Sequence, residues 1–229
     1  MRAGDRVVLR IGREKGFSWT PLAGRKDLSV IVHVGRGEPQ CRLPEPVVIR
    51  VLPDTAERVE ILLPGTRPAG GAVTATVTVR DRFDNRVPWS GLLPVTVDGR
   101  AHAVPLVEGW GRGGITPEGG GSLRAEAAVP GAQVAGVSNV CREATGRQLY
   151  FGDLHSHDST SEAEGTMPDA YAWARDEKRL DFLSQSVQCH NFIDNEKWHL
   201  VRQLAETYLD EGRFVTFPAF EWQHSRFGD

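Results

Sequence analysis

The chain has 229 residues, 40% hydrophobic and 25% charged, and its 27 basic and 30 acidic side chains leave a net charge of −3. This is the profile of a globular protein long enough to bury a core. The balanced charge, with no basic cluster interleaved with aromatics, excludes nucleic acid and an anionic membrane surface as expected partners.

Residues 1–146 read as β structure. Short runs rich in Val, Ile and Thr recur at 6–11, 28–34, 47–51 and 58–62, and the clearest spans 72–79. There Val73, Ala75, Val77 and Val79 alternate with Thr74, Thr76 and Thr78, the period-2 pattern of a strand with one buried face. Pro64-Gly65, Gly70-Gly71, Asp84-Asn85 and Gly119-Gly120-Gly121 punctuate the runs. Regular strand spacing with such turns predicts an immunoglobulin-like β-sandwich domain over 1–146. Asp84-Asn85 is a turn candidate because both residue types tolerate the left-handed conformation.

From about residue 147 the pattern changes to βαβαβ. A strand-like run over 148–155 is followed by Thr166-Met167-Pro168-Asp169, in which Thr caps a helix, Pro enters its first turn and a carboxylate sits three residues after the cap. That helix is expected to reach about Lys178. A second strand is predicted over 180–187. Asp194 then caps a second helix with Trp198, Val201, Leu204 and Tyr208 along one stripe, ended by Gly212, and a third strand spans 213–220. The alternation implies parallel neighbours and right-handed crossovers. The expected fold class is therefore α+β: a β-sandwich-like domain, then a partial α/β unit over 147–229.

Metal-capable residues fall at the carboxyl ends of the three predicted strands, where sites form in parallel α/β folds. His155 and His157 end the first, Cys189 and His190 follow the second, and Glu221 ends the third with His224 beyond it. Residues i and i+2 of an extended segment point the same way, so a His-x-His pair can converge on one ion. A mixed His and carboxylate set suits zinc, manganese or iron. Phe-Pro-Ala-Phe before Glu221 and Trp222 after it predict a partly buried carboxylate, which needs a partner. His33, His102 and His199 are read as structural or solvated, and Trp198 as core.

The segments Phe151-Gly152-Asp153-Leu154-His155-Ser156-His157, Gly165-Thr166-Met167-Pro168, Ala170-Tyr171, Ala174-Arg175-Asp176, Leu180-Asp181-Phe182-Leu183, Gly212 to Phe217 and Phe220-Glu221-Trp222 resemble the PHP (polymerase and histidinol phosphatase) superfamily. Within it they are similar to a bacterial branch whose members carry β-rich segments ahead of the catalytic barrel. The resemblance covers residues 147–229. It implies a portion of a distorted (β/α)7 barrel with a two- or three-metal site that mostly hydrolyses phosphoesters. It also implies His155, His157 and Glu221 as metal ligands, with Glu162 in place of an Asp and His190 offset by one residue from a third His; Cys189 is the alternative to His190. Glu221 and His190 are the implied catalytic residues. The family's later His and Asp-x-His ligands have no counterpart before Asp229, so a partial barrel is expected, with self-association through its unfinished parallel edge.

Two functional classes follow. One is a metal-dependent hydrolase of small phosphoester-like substrates, with an amidohydrolase-type enzyme as a variant because it too begins with His-x-His on a barrel strand. The other is a non-enzymatic β-sandwich binding or spacer module attached to a degenerate barrel. Cys41, Cys141 and Cys189 are too few and too scattered for a disulfide framework or a zinc knuckle. No apolar core follows Met1-Arg2-Ala3-Gly4-Asp5 and no stretch approaches the ~20 apolar residues of a spanning helix, so a cytoplasmic location is expected, with export as the alternative.

Overall fold

The computed structural model describes residues 20–29, 31–32, 41–42, 45–161, 163, 165–188 and 194–222. Near the N-terminus β1 (Gly24–Leu28) pairs antiparallel with β4 (Val47–Val51), and β2 (Ile31–Val32) with β3 (Cys41–Arg42). The strand expected over 6–11 lies outside the described residues. The larger β unit holds β5 (Arg58–Leu62), β6 (Thr66–Arg67), β7 (Val73–Arg80), β8 (Gly91–Val97), β9 (Arg100–Val107), β10 (Trp110–Ile115), β11 (Glu126–Ala128), β12 (Ala135–Val137) and β13 (Arg142–Glu143).

Seven of these strands close into a barrel in the order β10-β7-β5-β12-β11-β8-β9, with β9 pairing back onto β10. All its pairings are antiparallel except β12 with β5, a single parallel pair, Ala135↔Arg58. This corrects the expected fold class. Strand accounts for 44% and helix for 15% of the described residues, the β unit is a closed barrel rather than a two-sheet sandwich, and the described residues form no (β/α)7 barrel. Alternating burial looks the same along a sandwich strand and a barrel strand; what decides is the β5–β12 seam, which brings together residues some 77 positions apart. At that seam a Cβ on Gly136 would lie 1.7 Å from the Val59 carbonyl oxygen. Only glycine permits the approach.

The barrel interior is apolar: Val59, Ile61, Val77, Val79, Leu93, Val95, Val104 and Ile115 are all buried. Val73, Ala75, Val77 and Val79 do face this core, as their alternation indicates. The opposite face of β7 is not simply solvated, because Thr76 and Thr78 are buried as well. Their cross-strand neighbours are Arg112 and Trp110 on β10 and Leu62 and Glu60 on β5.

The second unit is an open sheet of three parallel strands, β14 (Gly152–Ser156), β15 (Phe182–Gln188) and β16 (Val215–Glu221), in that order. Between them run α1 (Met167–Ala172), a π-helical turn Trp173–Glu177, and α2 (Asn195–Tyr208). Thr166 Oγ1 accepts the Asp169 amide and donates to its carboxylate at 2.6 Å, and Asp194 accepts the Lys197 amide at 2.7 Å. A separate core of Met167, Tyr171, Ala174, Leu183, Val187, Val201 and Phe214 lies under the helices, with Trp198, Leu204 and Tyr208 packed against it. Tyr171 stacks on Tyr208 with centroids 5.4 Å apart, and burial pushes its hydroxyl up to about 12. No helix among the described residues is long and apolar enough to cross a membrane.

The two units meet across charges. Arg80 is 2% exposed; it reaches Glu60 at 2.6 Å, the Asp84 carbonyl at 2.9 Å and Glu177 at 3.6 Å. Lys178 spans back to Glu60 at 2.7 Å and Asp84 at 3.3 Å. Trp110 Nε1 donates to the Asp176 carbonyl at 3.2 Å. Burial would raise the Asp84 carboxyl, but Arg80 and Lys178 hold it below the ordinary value. Asp84 itself has φ +70, the left-handed turn its residue type tolerates.

Because the barrel closes through one parallel pair, Gly136→Ala is expected to lower unfolding stability by about 1–3 kcal/mol, the range of an overpacked site. A denaturant midpoint equal to wild type would show that β5 and β12 do not approach as described.

Candidate metal centre

The first strand of the parallel sheet is built to be uneven. A Cβ on Gly152 would lie 2.3 Å from the Phe182 carbonyl oxygen and 2.4 Å from its ring, so the Gly-Asp-Leu-His lead-in begins with the one residue that fits against β15. The register then runs Gly152↔Phe182, Asp153↔Leu183, Ser156↔Gln185. Three steps on β14 match two on β15, which is a β-bulge, a device that re-aims side chains beside active sites. Asp153 Oδ1 accepts the His155 amide at 2.8 Å and holds the bulge.

Ser156 sits between the two histidines and points the other way. Its hydroxyl donates to the Ser184 carbonyl at 2.8 Å and accepts Gln185 Nε2 at 2.8 Å. Ser186 Oγ donates to the Leu154 carbonyl at 3.3 Å. These bonds tie the bulged strand to β15 on both sides of His155. β16 pairs with β15 without a slip from Phe182↔Val215 to Gln188↔Glu221, which fixes the height of Glu221 on the sheet.

The result is convergence. His155 Nε2 and His157 Nε2 lie 3.0 Å apart, and each is 3.5 Å from Glu221 Oε2. Ligand atoms of the three residues fall within 4.8 Å of one another. Two donors on a tetrahedral ion with bonds of 2.0–2.1 Å are separated by about 3.3 Å, so these spacings are those of neighbouring ligands on one ion. Two imidazole nitrogens and a carboxylate oxygen form a donor set for zinc, manganese or iron. The residues present fit such an ion. His157 Nδ1 is buried with no hydrogen-bond partner among the described residues, so the ring is engaged through its Nε2 edge. The His155 side chain is 58% exposed, against 24% for His157 and 26% for Glu221, so the cluster opens to solvent on the His155 side.

Of the five ligands implied by resemblance, the structure brings together His155, His157 and Glu221. Glu162 and His190 lie outside the described residues, as do Cys189, His33 and His224. His199 is exposed on α2, away from the trio in sequence and unmatched with it, and Cys141 is buried and free. Trp198 packs edge-on to Phe220 at 6.0 Å, in the helix–sheet core rather than at the centre.

Sequence reasoning missed the supporting residues Asp153, Ser156 and Gln185, and the buried Asp158 that directly follows His157. A signal for part of this was present. The middle strand of a parallel sheet ordinarily reads as an apolar run, yet β15 buries Ser184, Gln185 and Ser186 in succession. Polar residues at those positions mark a strand that serves its neighbours by hydrogen bonding.

No protein-family model matches the chain, and a search of curated proteins finds no significant match.

Ser156→Ala removes the hydroxyl that ties the bulge to Ser184 and Gln185. It is expected to weaken zinc affinity about tenfold, the lower end for loss of a group that orients ligands, as measured by competition with a chromophoric chelator. Unchanged affinity would mean that the bulge does not position the histidines.

Proposed function

We propose that the chain is a metal-dependent hydrolase of phosphoester substrates, with His155, His157 and Glu221 as the protein ligands of a divalent zinc, manganese or iron ion. The observation that carries this reading is the 3.0, 3.5 and 3.5 Å triangle formed by Nε2, Nε2 and Oε2 at the carboxyl ends of two parallel strands. An ion held there supplies a bound water acidic enough to ionise near neutral pH and a Lewis acid for the scissile group.

The chain's own residues supply the rest. The three ligands found among the described residues are as many as a catalytic zinc site takes from protein, which would leave a position for water or substrate. The exposed His155 side marks the entry, and the lower exposure of His157 and Glu221 shields the opposite side. Asp153 and Ser156 fix the backbone on either side of His155, from which the rings project. Glu221 accepts charge and, among the described residues, is the group best placed to take a proton from a nucleophilic water. The sequence offers no Gly-x-Ser-x-Gly nucleophile elbow, which favours water as the nucleophile. Support for phosphoesters as the substrate class comes from the motif resemblance of residues 147–229.

The test is elemental analysis of protein purified without chelator, beside His155→Ala/His157→Ala. Zinc, manganese or iron near one per chain in wild type, lost in the double variant together with hydrolysis of a generic aryl phosphate, is the expected outcome. A wild-type protein that stays metal-free after incubation with all three ions sinks the reading.

A further inference from the structure

A second feature lies at the other end of the parallel strands, in the crevice between the barrel and the α/β unit. Its volume is about 190 Å³, and Arg175, Arg179 and Arg213 line it beside Asp181 and the backbone around Gly65 and Tyr150. Arg112 stands just behind, on β10.

The charges here do not balance. Asp176 takes Arg175 at 2.8 Å, Arg213 at 3.1 Å and Arg112 at 3.4 Å. Asp210 takes a second nitrogen of Arg213 at 3.2 Å. Asp181 spends one carboxylate oxygen on the Phe151 amide at 2.7 Å. Arg179 is the one guanidinium of the four that forms no hydrogen bond or ion pair with a described residue; what favours its charge is longer-range attraction, first from Asp181 and then from Cys141. Burial, and then the charge of Arg112, hold Arg179 below its ordinary value, with Arg213 adding to the repulsion. A half-buried guanidinium among other cations asks for an anion.

The backbone makes the same point independently. Arg179 has φ +51. It follows the end of the π-helical turn, where the Leu180 amide closes onto the Ala174 carbonyl at 2.9 Å. That is the left-handed position at which glycine or asparagine is the unstrained choice. An arginine held there is kept for its side chain, not for its backbone.

The crevice also continues into an apolar groove of about 350 Å³ lined by Tyr150, Phe182, Val215 and Phe217, with Asp181, Gly212 and Arg213 at the boundary. We propose that this junction is a binding site for a small organic oxyanion, a phosphate, phosphonate or carboxylate group set among Arg175, Arg179 and Arg213 and carried on an aromatic or aliphatic body that lies against Phe182 and Phe217. The guanidinium fork matches a two-oxygen face of such a group. A crevice of this volume between two units admits a single head group, not a bilayer surface. The site is separate from the metal centre and does not rest on it.

The experiment uses full-length His155→Ala/His157→Ala protein in chelator, so that binding at the metal centre plays no part. The probes are phenylphosphonate, inorganic phosphate and benzyl alcohol, titrated calorimetrically at fixed ionic strength. Phenylphosphonate is expected to bind at one site per chain, at least fivefold tighter than phosphate, with benzyl alcohol silent. Adding Arg179→Gln is expected to weaken phenylphosphonate at least tenfold. Arg179→Gly guards against a folding artefact: relieving the left-handed strain, it should melt at or above the parent temperature and still lose the ligand. No saturable phenylphosphonate binding, equal binding of phosphate and phenylphosphonate, or unchanged binding in Arg179→Gly would each overturn the assignment. A fall in melting temperature in Arg179→Gly without ligand would do so too, by showing that the arginine holds the fold.

Discussion

The parallel ladder between β15 and β16 runs without a slip to Gln188↔Glu221, while the ladder between β14 and β15 absorbs one extra residue at Asp153–Ser156. Glu221 meets the two histidines because one ladder is regular and the other is not. A slip of one residue on β16 would turn Glu221 to the helix-covered face. Without the bulge, His155 and His157 would lie level with other residues of β15. Ser156, Gln185, Ser184 and Ser186 hold this mismatch with side-chain and backbone hydrogen bonds. The polar middle strand is thus a structural requirement of the centre.

The barrel contributes by bracing. Its own core is complete without the α/β unit, and the unit has its own core under α1 and α2. What joins them is a charged seam built on the nearly inaccessible Arg80, with Glu60, Asp84, Glu177 and Lys178 around it. Buried charges are costly unless they find partners, and Arg80 is paired with Glu60 and, at longer range, Glu177. The seam engages the π-helical turn between α1 and β15 and so sets where β15 begins. The same turn and the residues just after it deliver Arg175 and Arg179 to the crevice at the other end of the strands.

Much of the local structure was legible. The Val73–Val79 alternation, the Thr166 and Asp194 caps, the Val201 stripe and the positions of the three parallel strands follow from short-range patterns, and the placing of His155, His157 and Glu221 at strand ends anticipates that they lie close together. The global architecture was not. Period-2 burial cannot distinguish a sandwich from a closed barrel, and closure depends on a single parallel pair between β5 and β12 that no local pattern announces. The hairpins β8-β9 and β9-β10 turn at Asp98-Gly99 and Glu108-Gly109, where both residues of each pair have positive φ; Asp-Gly is a recognisable hairpin signal, and it carried no strand assignment. Thr76 and Thr78 are buried as well, which alternation within β7 does not encode. The supporting bonds of Ser156 and Gln185 depend on a register shift between strands about 28 residues apart.

The central claim is that the imidazoles of His155 and His157, at the end of β14, and the carboxylate of Glu221 on β16 share one ion. X-ray absorption spectroscopy on the zinc-loaded protein tests it most directly. The account predicts a first shell of nitrogen and oxygen only, at about 2.0–2.1 Å, with outer-shell scattering from two imidazoles. A sulfur shell at about 2.3 Å, or a spectrum without imidazole scattering, would contradict it.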